Sequence, residues 1–258
     1  FSGSATFYYS SKDTTKVVFP DTQLKAMGVS APEYATSDLD ASGSLGGPIM
    51  KDRLWFFANA RYLNNTFTSP FRPTTILGKY YGPFDLDHTE MMSFLKLTTQ
   101  ITPSIRFMGL FNFTDIYEPY FRLDKGWNIT SEAMRVWDHE RGYTGNGVLT
   151  WLLDPNTFLD IRAAYVHRWF PLPMQPGEPQ NNYYFYDGYT GYRWGNARFN
   201  ETYLRKRFHT SASITRFQDN LFGIGDNHEI KAGADFEQAY GDWNWWRNNS
   251  VIWYYWNG

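Results

Sequence analysis

The sequence predicts an all-β protein, an antiparallel up-and-down meander, and three observations indicate this fold. Apolar and polar residues alternate along about nine stretches of roughly 10 residues, which is the period of a β-strand. Proline and glycine interrupt the segments between these stretches, and no long segment has helical periodicity. The connections alternate between tight turns and loops of roughly 25 residues or more. The pattern therefore predicts one sheet with short turns at one end and long loops at the other.

The first elements are a strand, Gly3–Ser11, and a hairpin that runs from Gly43 to Tyr62. The hairpin has a glycine-rich first strand, the polar tight turn Met50–Arg53 and a strong second strand, Leu54–Tyr62. One face of that second strand is wholly apolar, whereas the other mixes aromatic rings with an amide and a guanidinium. A sheet in water usually has a charged outer face, so this combination suits a wall between lipid and a partly filled lumen.

Three more hairpins follow, each with alternating faces and a short polar turn. Their strands and turns are Met91–Ile101 and Ile105–Thr114 around Pro103, Tyr143–Leu153 and Phe158–Arg168 around Asp154, and Phe208–Leu221 and Glu229–Gln238 around Gly225. The chain reverses direction at each turn and at each long connection, with one strand between them. Two aromatic connections, Trp169–Arg207 and Gly241–Gly258, are therefore expected at the end of the sheet opposite the four turns.

Composition limits the classes of protein. A net charge of −2 gives no electrostatic preference for nucleic acid, so no such partner is expected. The absence of cysteine excludes disulfides and thiolate metal sites. Aromatic residues make up 20% of the chain, a share typical of proteins with membrane-interface belts or ring-lined ligand surfaces.

A membrane location is predicted from the strands rather than from hydropathy. Mean hydropathy is −0.52, and no apolar run is long enough for a transmembrane helix. Hydropathy does not detect a transmembrane β-barrel, because the lipid-facing residues of its strands alternate with polar ones. Strands of roughly 10 residues, short periplasmic turns and long extracellular loops are typical of outer-membrane barrels. We therefore expect residues 1–258 to form part of a large barrel whose sheet is open, with outer-membrane lipid as a partner.

The alternation also predicts which face meets lipid. We expect the outer, convex face to carry eight apolar residues: Leu54, Phe56, Phe107, Phe111, Leu159, Ile161, Ile230 and Phe236. Their alternates include charged residues for the lumen: Arg61, Lys96, Arg106, Asp160, Arg162, Lys231, Asp235 and Glu237. The assignment follows because an Arg or Lys that faces lipid at mid-membrane costs about 2–4 kcal/mol.

The segment SLGGPIMKDRLWFFANARY, Ser44–Tyr62, resembles the barrel-entry signature of TonB-dependent outer-membrane receptors. It is most similar to the Oar-like class, which has an N-terminal carboxypeptidase-regulatory-like domain. The hairpins Phe94–Asp115, Gly147–Arg168 and Ile214–Glu237 also resemble the family. In the last hairpin, the residues of the family's recurrent motif are Gly225, His228, Ile230, Lys231 and Gly233.

This resemblance implies a receptor that binds a scarce ligand at its extracellular loops. The family admits the ligand past a plug domain that the inner-membrane TonB complex pulls on, driven by the proton-motive force. No catalytic residue and no cofactor are then expected. The family's plug and energy-coupling box lie upstream of such strands, and its barrels close with about 22 strands. We therefore expect the chain to be a piece of a longer protein.

Aromatic residues deep in the loops are the candidate ligand site. Flat rings beside polar groups can stack on sugar rings. The alternative is an interfacial girdle, to which rings just beyond strand ends, such as Trp169, Tyr240 and Trp243, belong. If the two aromatic connections share the loop end, five candidate ligand-binding residues together offer one stacking platform: Tyr186, Tyr189, Trp194, Trp245 and Trp246. The sequence leaves a carbohydrate-like or a siderophore-like ligand open. Because the loops mix both charge signs and lack a basic cluster for ferric siderophores, the hypothesis is a neutral ring-containing nutrient such as an oligosaccharide.

Other polar clusters are weaker candidates. Asp85, Asp87, His88 and Glu90 supply oxygen ligands for calcium but lack the spacing of a known calcium loop, and a solvated turn is the simpler interpretation. His139, with an acidic residue on each side, is equally weak as a zinc or acid–base site. No metal is expected. The alternative to a receptor is a secreted β-rich carbohydrate-binding or glycosidase module, favoured only by the aromatic loops.

Overall fold

The fold is a nine-stranded antiparallel sheet, as the alternation predicts, and we call this sheet the wall. The computed structural model describes residues 1–11, 13–14, 26, 35–69, 74–121, 128–178, 182–220, 223, 225, 227–247 and 252–255. Neighbours in the wall follow the order in the chain. Its strands are β1 (Ser2–Ser11), β2 (Ala35–Met50), β3 (Leu54–Thr68), β6 (Asp85–Thr102), β7 (Ile105–Glu118), β8 (Trp137–Asp154), β9 (Thr157–Leu172), β12 (Asn200–Asp219) and β13 (Asn227–Trp246).

In the described parts of the long connections there are five shorter strands. They form a two-stranded and a three-stranded sheet. These strands are β4 (Thr74–Ile76), β5 (Lys79–Tyr81), β10 (Tyr184–Asp187), β11 (Arg193–Gly195) and β14 (Ile252–Tyr255). Among the residues just given as described, no helix is long and apolar enough to cross a membrane.

The turn ends of the wall strands agree with the sequence prediction to within one or two residues, but the loop ends extend further. β6 begins at Asp85 rather than Met91, and β12 begins at Asn200 rather than Phe208. The tract from Asp242, left open between loop and strand, belongs to β13 as far as Trp246. The connections are correspondingly shorter than Trp169–Arg207 and Gly241–Gly258. The turn around Gly225 lies partly outside the described residues.

The pairing register confirms that the predicted apolar residues share one face. Directly opposed residues in antiparallel strands have side chains on the same side of the sheet. One row of opposed residues crosses seven strands: Leu54, Thr99, Phe107, Leu149, Ile161, Ala212 and Ala234. Phe56, Phe111, Leu159, Ile230 and Phe236 lie an even number of residues from members of this row, so they are on the same side. We call this side the apolar face.

The opposite side is the polar face, and all eight predicted lumen charges lie on it. Its adjacent row of opposed residues is Trp55, Thr98, Met108, Val148, Arg162, Ser211 and Asp235. Several of these charges pair with neighbours on the same face. Arg61 Nη2 lies 2.5 Å from Asp40 Oδ2, and Arg207 pairs with Glu237.

The apolar face carries an uncharged band that is bounded by charged residues on β12. Lys206 lies on this face towards the loop end, and Arg216 lies on it towards the turn end. Between them, only Phe208, Thr210, Ala212 and Ile214 point to this side. The ten residue steps correspond to about 34 Å of strand. At the strand tilt of outer-membrane barrels this distance spans roughly 25 Å, the height of their apolar band.

Within the described part of the chain, the wall does not close on itself. The order of strands runs from β1 to β13, and these two pair only with β2 and β12. The open sheet was predicted. Each outer edge presents backbone N–H and C=O groups that lipid cannot satisfy.

Candidate ligand site at the loop end

The long connections fold together at the loop end of the wall. We call their described residues within 69–84, 119–136, 173–199 and 252–255 the cap. The two best-buried apolar residues here are Leu86, at the start of β6, and Met134, each with 0% exposure. They form a cluster with Ile129 and Ala133, and Phe67, Phe84 and Tyr120 pack against it. The cap therefore has a small apolar core, to which Leu86 and Phe67 at the loop ends of wall strands contribute.

A hairpin and a short 3₁₀ helix form one side of the cap. Leu77 and Gly78 join β4 to β5 and both have positive φ, as two-residue hairpin turns of type I′ require. Lys79 Nζ lies 2.5 Å from Oε1 of Glu132, in the 3₁₀ helix Ser131–Ala133. This contact raises the pKa of Lys79. Burial raises the pKa of Glu132, but the hydrogen bond from Lys79, the charge of Lys79 and further hydrogen bonds together outweigh burial, so the pKa is lowered.

The three-stranded sheet forms the other side. β10 pairs antiparallel with β11 and parallel with β14. The turn between β10 and β11 is held by Asp187, whose Oδ1 accepts from the Tyr189 backbone N–H at 2.9 Å and whose Oδ2 accepts from Thr190 Oγ1 at 2.6 Å. These bonds lower the pKa of Asp187. Gly195 has φ of 83°, and a Cβ there would lie 2.3 Å from the Tyr183 carbonyl oxygen, so the position needs glycine.

Backbone hydrogen bonds connect β11 to the segment that precedes the 3₁₀ helix. The Thr130 N–H donates to the Arg193 carbonyl at 3.0 Å, and the Arg193 N–H donates to the Asn128 carbonyl at 2.7 Å. Asn128 Nδ2 also donates to the Thr190 carbonyl at 2.9 Å. Two connections that are distant in sequence are thereby fixed against each other.

A cavity of about 320 Å³ lies between these segments. Its polar lining consists of three arginines and three tyrosines from four separate segments. The lining residues are Ile129, Ala133, Arg135, Tyr184, Tyr186, Arg193, Arg198, Phe199 and Tyr254. Burial raises the pKa of Tyr184 against the opposing effect of Arg193 and Arg198, so its hydroxyl stays protonated at neutral pH. The cavity thus combines cationic groups, hydroxyl donors and rings.

Arg135 links the cap to the wall. Its guanidinium carbon lies 5.3 Å from the ring centre of Phe121 and 4.9 Å from that of Phe199. Its Nη1 pairs with Oε2 of Glu201, a β12 residue with 6% exposure. The other carboxylate oxygen of Glu201 accepts from the Tyr203 hydroxyl at 3.2 Å and from Trp243 Nε1 at 3.3 Å. This buried carboxylate is therefore bonded to groups from three segments.

Below the cap, a ladder of rings crosses the polar face of the wall. Trp137, Phe170, Tyr203 and Trp243 come from β8, β9, β12 and β13, with successive ring centres 5.0, 5.6 and 5.7 Å apart. Phe170 and Tyr203 stack at 22°, and Tyr203 and Trp243 stack at 7°. Because Phe170 and Trp243 both stack on Tyr203, the faces of the Tyr203 ring are covered. This geometry favours strand pairing over stacking on a sugar.

The five predicted ligand-binding residues do not form one shared platform. Tyr186 lines the cavity and contacts Tyr254 edge-on, with ring centres 5.8 Å apart. Tyr189 is 75% exposed at the β10–β11 turn. Trp194 is 8% exposed and stacks on Phe185, so it belongs to the core of the small sheet.

The two tryptophans of β13 are separated by their position in a strand. Trp245 lies opposite Glu201 and Trp246 lies opposite Asn200. Consecutive strand residues point to opposite faces, so the two rings cannot bind the same ligand face. Trp245 is on the side of the polar face and contacts Phe199 edge-on at 6.0 Å. The single platform is therefore wrong, while the part that each ring plays in binding stays a prediction.

Sequence reasoning also missed the basic cluster, because Arg135, Arg193 and Arg198 become neighbours only when the connections fold together.

The weaker polar clusters have structural partners. His88 Nδ1 lies 2.6 Å from Oε1 of the buried Glu118, and Asp87 accepts from Thr66 Oγ1 at 2.7 Å. His139 Nδ1 lies 2.9 Å from Asp115 Oδ1. Across the described residues, no three His, Asp or Glu side chains are grouped as metal ligands.

Comparison with known proteins places the fold. No family model matches the chain, and no curated protein has a significantly similar sequence. Among solved structures, the chain is similar to the outer membrane transporter YddB from Escherichia coli, with a TM-score of 0.65 and 10% sequence identity. The match covers 93% of this chain and 30% of that one. The chain thus has the fold of part of an outer-membrane transporter barrel and spans about a third of that protein's length.

Proposed function

We propose that the chain forms part of the barrel wall of a TonB-dependent transporter in a Gram-negative outer membrane, which takes up a nutrient ligand. The observation that carries this proposal is the apolar face. On it, Phe111, Ile161 and Phe236 are 46%, 40% and 56% exposed. In water such a surface is unfavourable, whereas lipid accommodates it. Similarity to an outer-membrane transporter supports the same interpretation.

The resemblance of Ser44–Tyr62 to the barrel-entry signature supports the finer part, which is TonB dependence and the Oar-like class. On this proposal, a plug domain contacts the polar face and the inner-membrane TonB complex supplies the energy. The protein acts in transport rather than in catalysis. A secreted carbohydrate-binding or glycosidase module would instead leave the apolar face in water.

Two neighbouring residues of β12 test the membrane location. Ala212 lies on the apolar face and Ser211 on the polar face, at the same height of the strand. In the full-length protein, Ala212→Arg should disfavour assembly by about 2–4 kcal/mol because the charge meets lipid. Ser211→Arg is the matched control and should assemble normally. Heat-modifiable migration of outer-membrane fractions measures assembly, and equal assembly of both variants would contradict the proposal.

Energy dependence needs its own test. Cells that express the full-length protein should accumulate ligand only while the proton-motive force is intact. Uptake of ferric citrate, a galactose disaccharide and a galacturonic acid disaccharide is followed with and without a protonophore, and with and without the TonB complex. Uptake that continues after both treatments would exclude energised transport.

A further inference from the structure

The cap cavity has positive charge that its own carboxylates do not balance. Of the three arginines that line it, Arg135 is paired with Glu201. Arg193 and Arg198 have exposed side chains, and no carboxylate of the described residues lies within ion-pair distance of either. Two guanidinium groups are therefore available to a ligand. Arginine presents a planar fork of donors that matches a carboxylate in a bidentate manner.

The remaining lining favours a small ligand with hydroxyl or ring groups. Three residues with hydroxyls, Tyr184, Tyr186 and Tyr254, line the same cavity. The apolar residues of its lining are Ile129, Ala133 and Phe199. A volume of about 320 Å³ is at the lower end for ligand sites, which are mostly apolar with a few convergent polar groups. The cavity lies at the loop end, where an extracellular ligand arrives if the proposed function is right.

We propose that this cavity binds a small ligand that carries at least two carboxylates, one for Arg193 and one for Arg198, with the tyrosine hydroxyls as further donors. This inference rests on the proposed function and replaces the neutral nutrient that the sequence suggested. Two sources offer this chemistry: an acidic sugar such as a uronic acid disaccharide, and a carboxylate-type iron chelate.

Equilibrium binding to the full-length protein in outer-membrane vesicles, without an energy source, tests the proposal. The probes are a disaccharide of galacturonic acid, its dimethyl ester and ferric citrate. At least one of the two carboxylate probes, the disaccharide or ferric citrate, should bind. The double variant Arg193→Gln with Arg198→Gln should weaken that binding by at least about tenfold, because hydrogen bonds between charged groups are stronger than those between neutral groups. The control Lys51→Gln with Arg53→Gln removes the same charge from the exposed turn at the opposite end and should leave binding unchanged.

The outcomes separate the two sources. Charge-dependent binding of the disaccharide, with the ester at least about tenfold weaker, identifies an acidic sugar. Charge-dependent binding of ferric citrate alone identifies an iron chelate. The inference is overturned if the disaccharide and its ester bind equally and the arginine substitutions do not affect binding of ferric citrate. It is also overturned if neither the disaccharide nor ferric citrate binds. Since binding is measured without energy, this failure is distinct from a loss of energised uptake, which concerns the proposed function.

Discussion

The wall and the cap are built from the same kinds of residue but bury them differently. Seven of the ten buried apolar side chains among the described residues are in the cap, and the other three, Leu86, Ile116 and Leu172, are at the loop ends of wall strands. Along β13, by contrast, nearly every residue is exposed, including Ile230, Phe236 and Tyr240. The cap thus buries apolar side chains as a protein in water does, whereas the wall has many exposed apolar side chains, which on the proposed function face lipid.

This contrast indicates what stabilises each region. The wall is held by backbone hydrogen bonds between long neighbouring strands, and on the proposed function lipid also stabilises its apolar face. The cap is held by a small apolar core, backbone bonds between connections and the buried Arg135–Glu201 pair. Substitutions in the cap should therefore loosen the ligand site without preventing assembly of the wall.

The largest loss of cap stability is expected from a substitution at the contact between the wall and the cap. Glu201→Ala removes the carboxylate that accepts from the Arg135 guanidinium, the Tyr203 hydroxyl and the Trp243 indole N–H. Removing one partner of a buried ion pair costs about 3–5 kcal/mol, because the remaining charge loses the opposite charge beside it. Hydrogen exchange should show faster opening of residues 128–136. Replacing Arg135 and Glu201 together with Met should recover part of the loss, and exchange unchanged from wild type in Glu201→Ala would contradict this role.

A slightly smaller effect is expected in the core of the cap. Met134 is fully buried, and Met134→Ala should destabilise the cap by about 2–5 kcal/mol through lost burial and a cavity. The control is Met91→Ala, because Met91 is 48% exposed on the apolar face. Limited proteolysis should cut the cap of Met134→Ala while heat-modifiable migration of the wall persists. If Met134→Ala abolished both the protease resistance of the cap and the heat-modifiable migration of the wall, the two regions would not be stabilised independently.

A smaller effect, on ligand binding, is expected from the two neighbouring tryptophans of β13. Trp245 contacts Phe199 at the cavity, whereas Trp246 points to the other face. A ring contact contributes roughly 0.5–1.5 kcal/mol beyond burial. In the full-length protein, Trp245→Ala should therefore weaken ligand binding up to about tenfold, and Trp246→Ala should leave it unchanged. The reverse order of the two effects would refute the assignment of their faces.

The smallest effect is expected from the Lys79–Glu132 contact. The folded-state pKa of Glu132 is below its ordinary 4.5, so the contact stabilises the cap at neutral pH and is lost as the pH falls through that lowered value. Lys79 is 64% exposed, so the contribution is at most about 1 kcal/mol. Lys79→Met should reduce the acid sensitivity of the cap, measured by proteolysis between pH 7 and pH 3. Unchanged acid sensitivity would exclude this contact as its source.

The sequence predicted the wall well and the cap poorly, for a physical reason. Along the wall strands the apolar face and the polar face take different residue types, so these types alternate with the period of a strand. On the proposed function the reason is that only one face meets lipid between Phe208 and Ile214. Above that band both faces are polar or mixed, which is why the first residues of β6 and β12 carried no signal. The lining of the cavity depends on contacts between connections, and Arg135, Arg193 and Tyr254 have no common pattern in sequence.

The most direct test of the central claim is an accessibility scan along β12. The 258 residues contain no cysteine, so single cysteines at 208–214 can carry a nitroxide label in the full-length protein in lipid bilayers. Labels at Phe208, Thr210, Ala212 and Ile214 should be accessible to oxygen dissolved in lipid. Labels at His209, Ser211 and Ser213 should be accessible to a water-soluble nickel complex. An alternation with period two in this phase supports a lipid-facing wall, whereas equal accessibility or the opposite phase contradicts it.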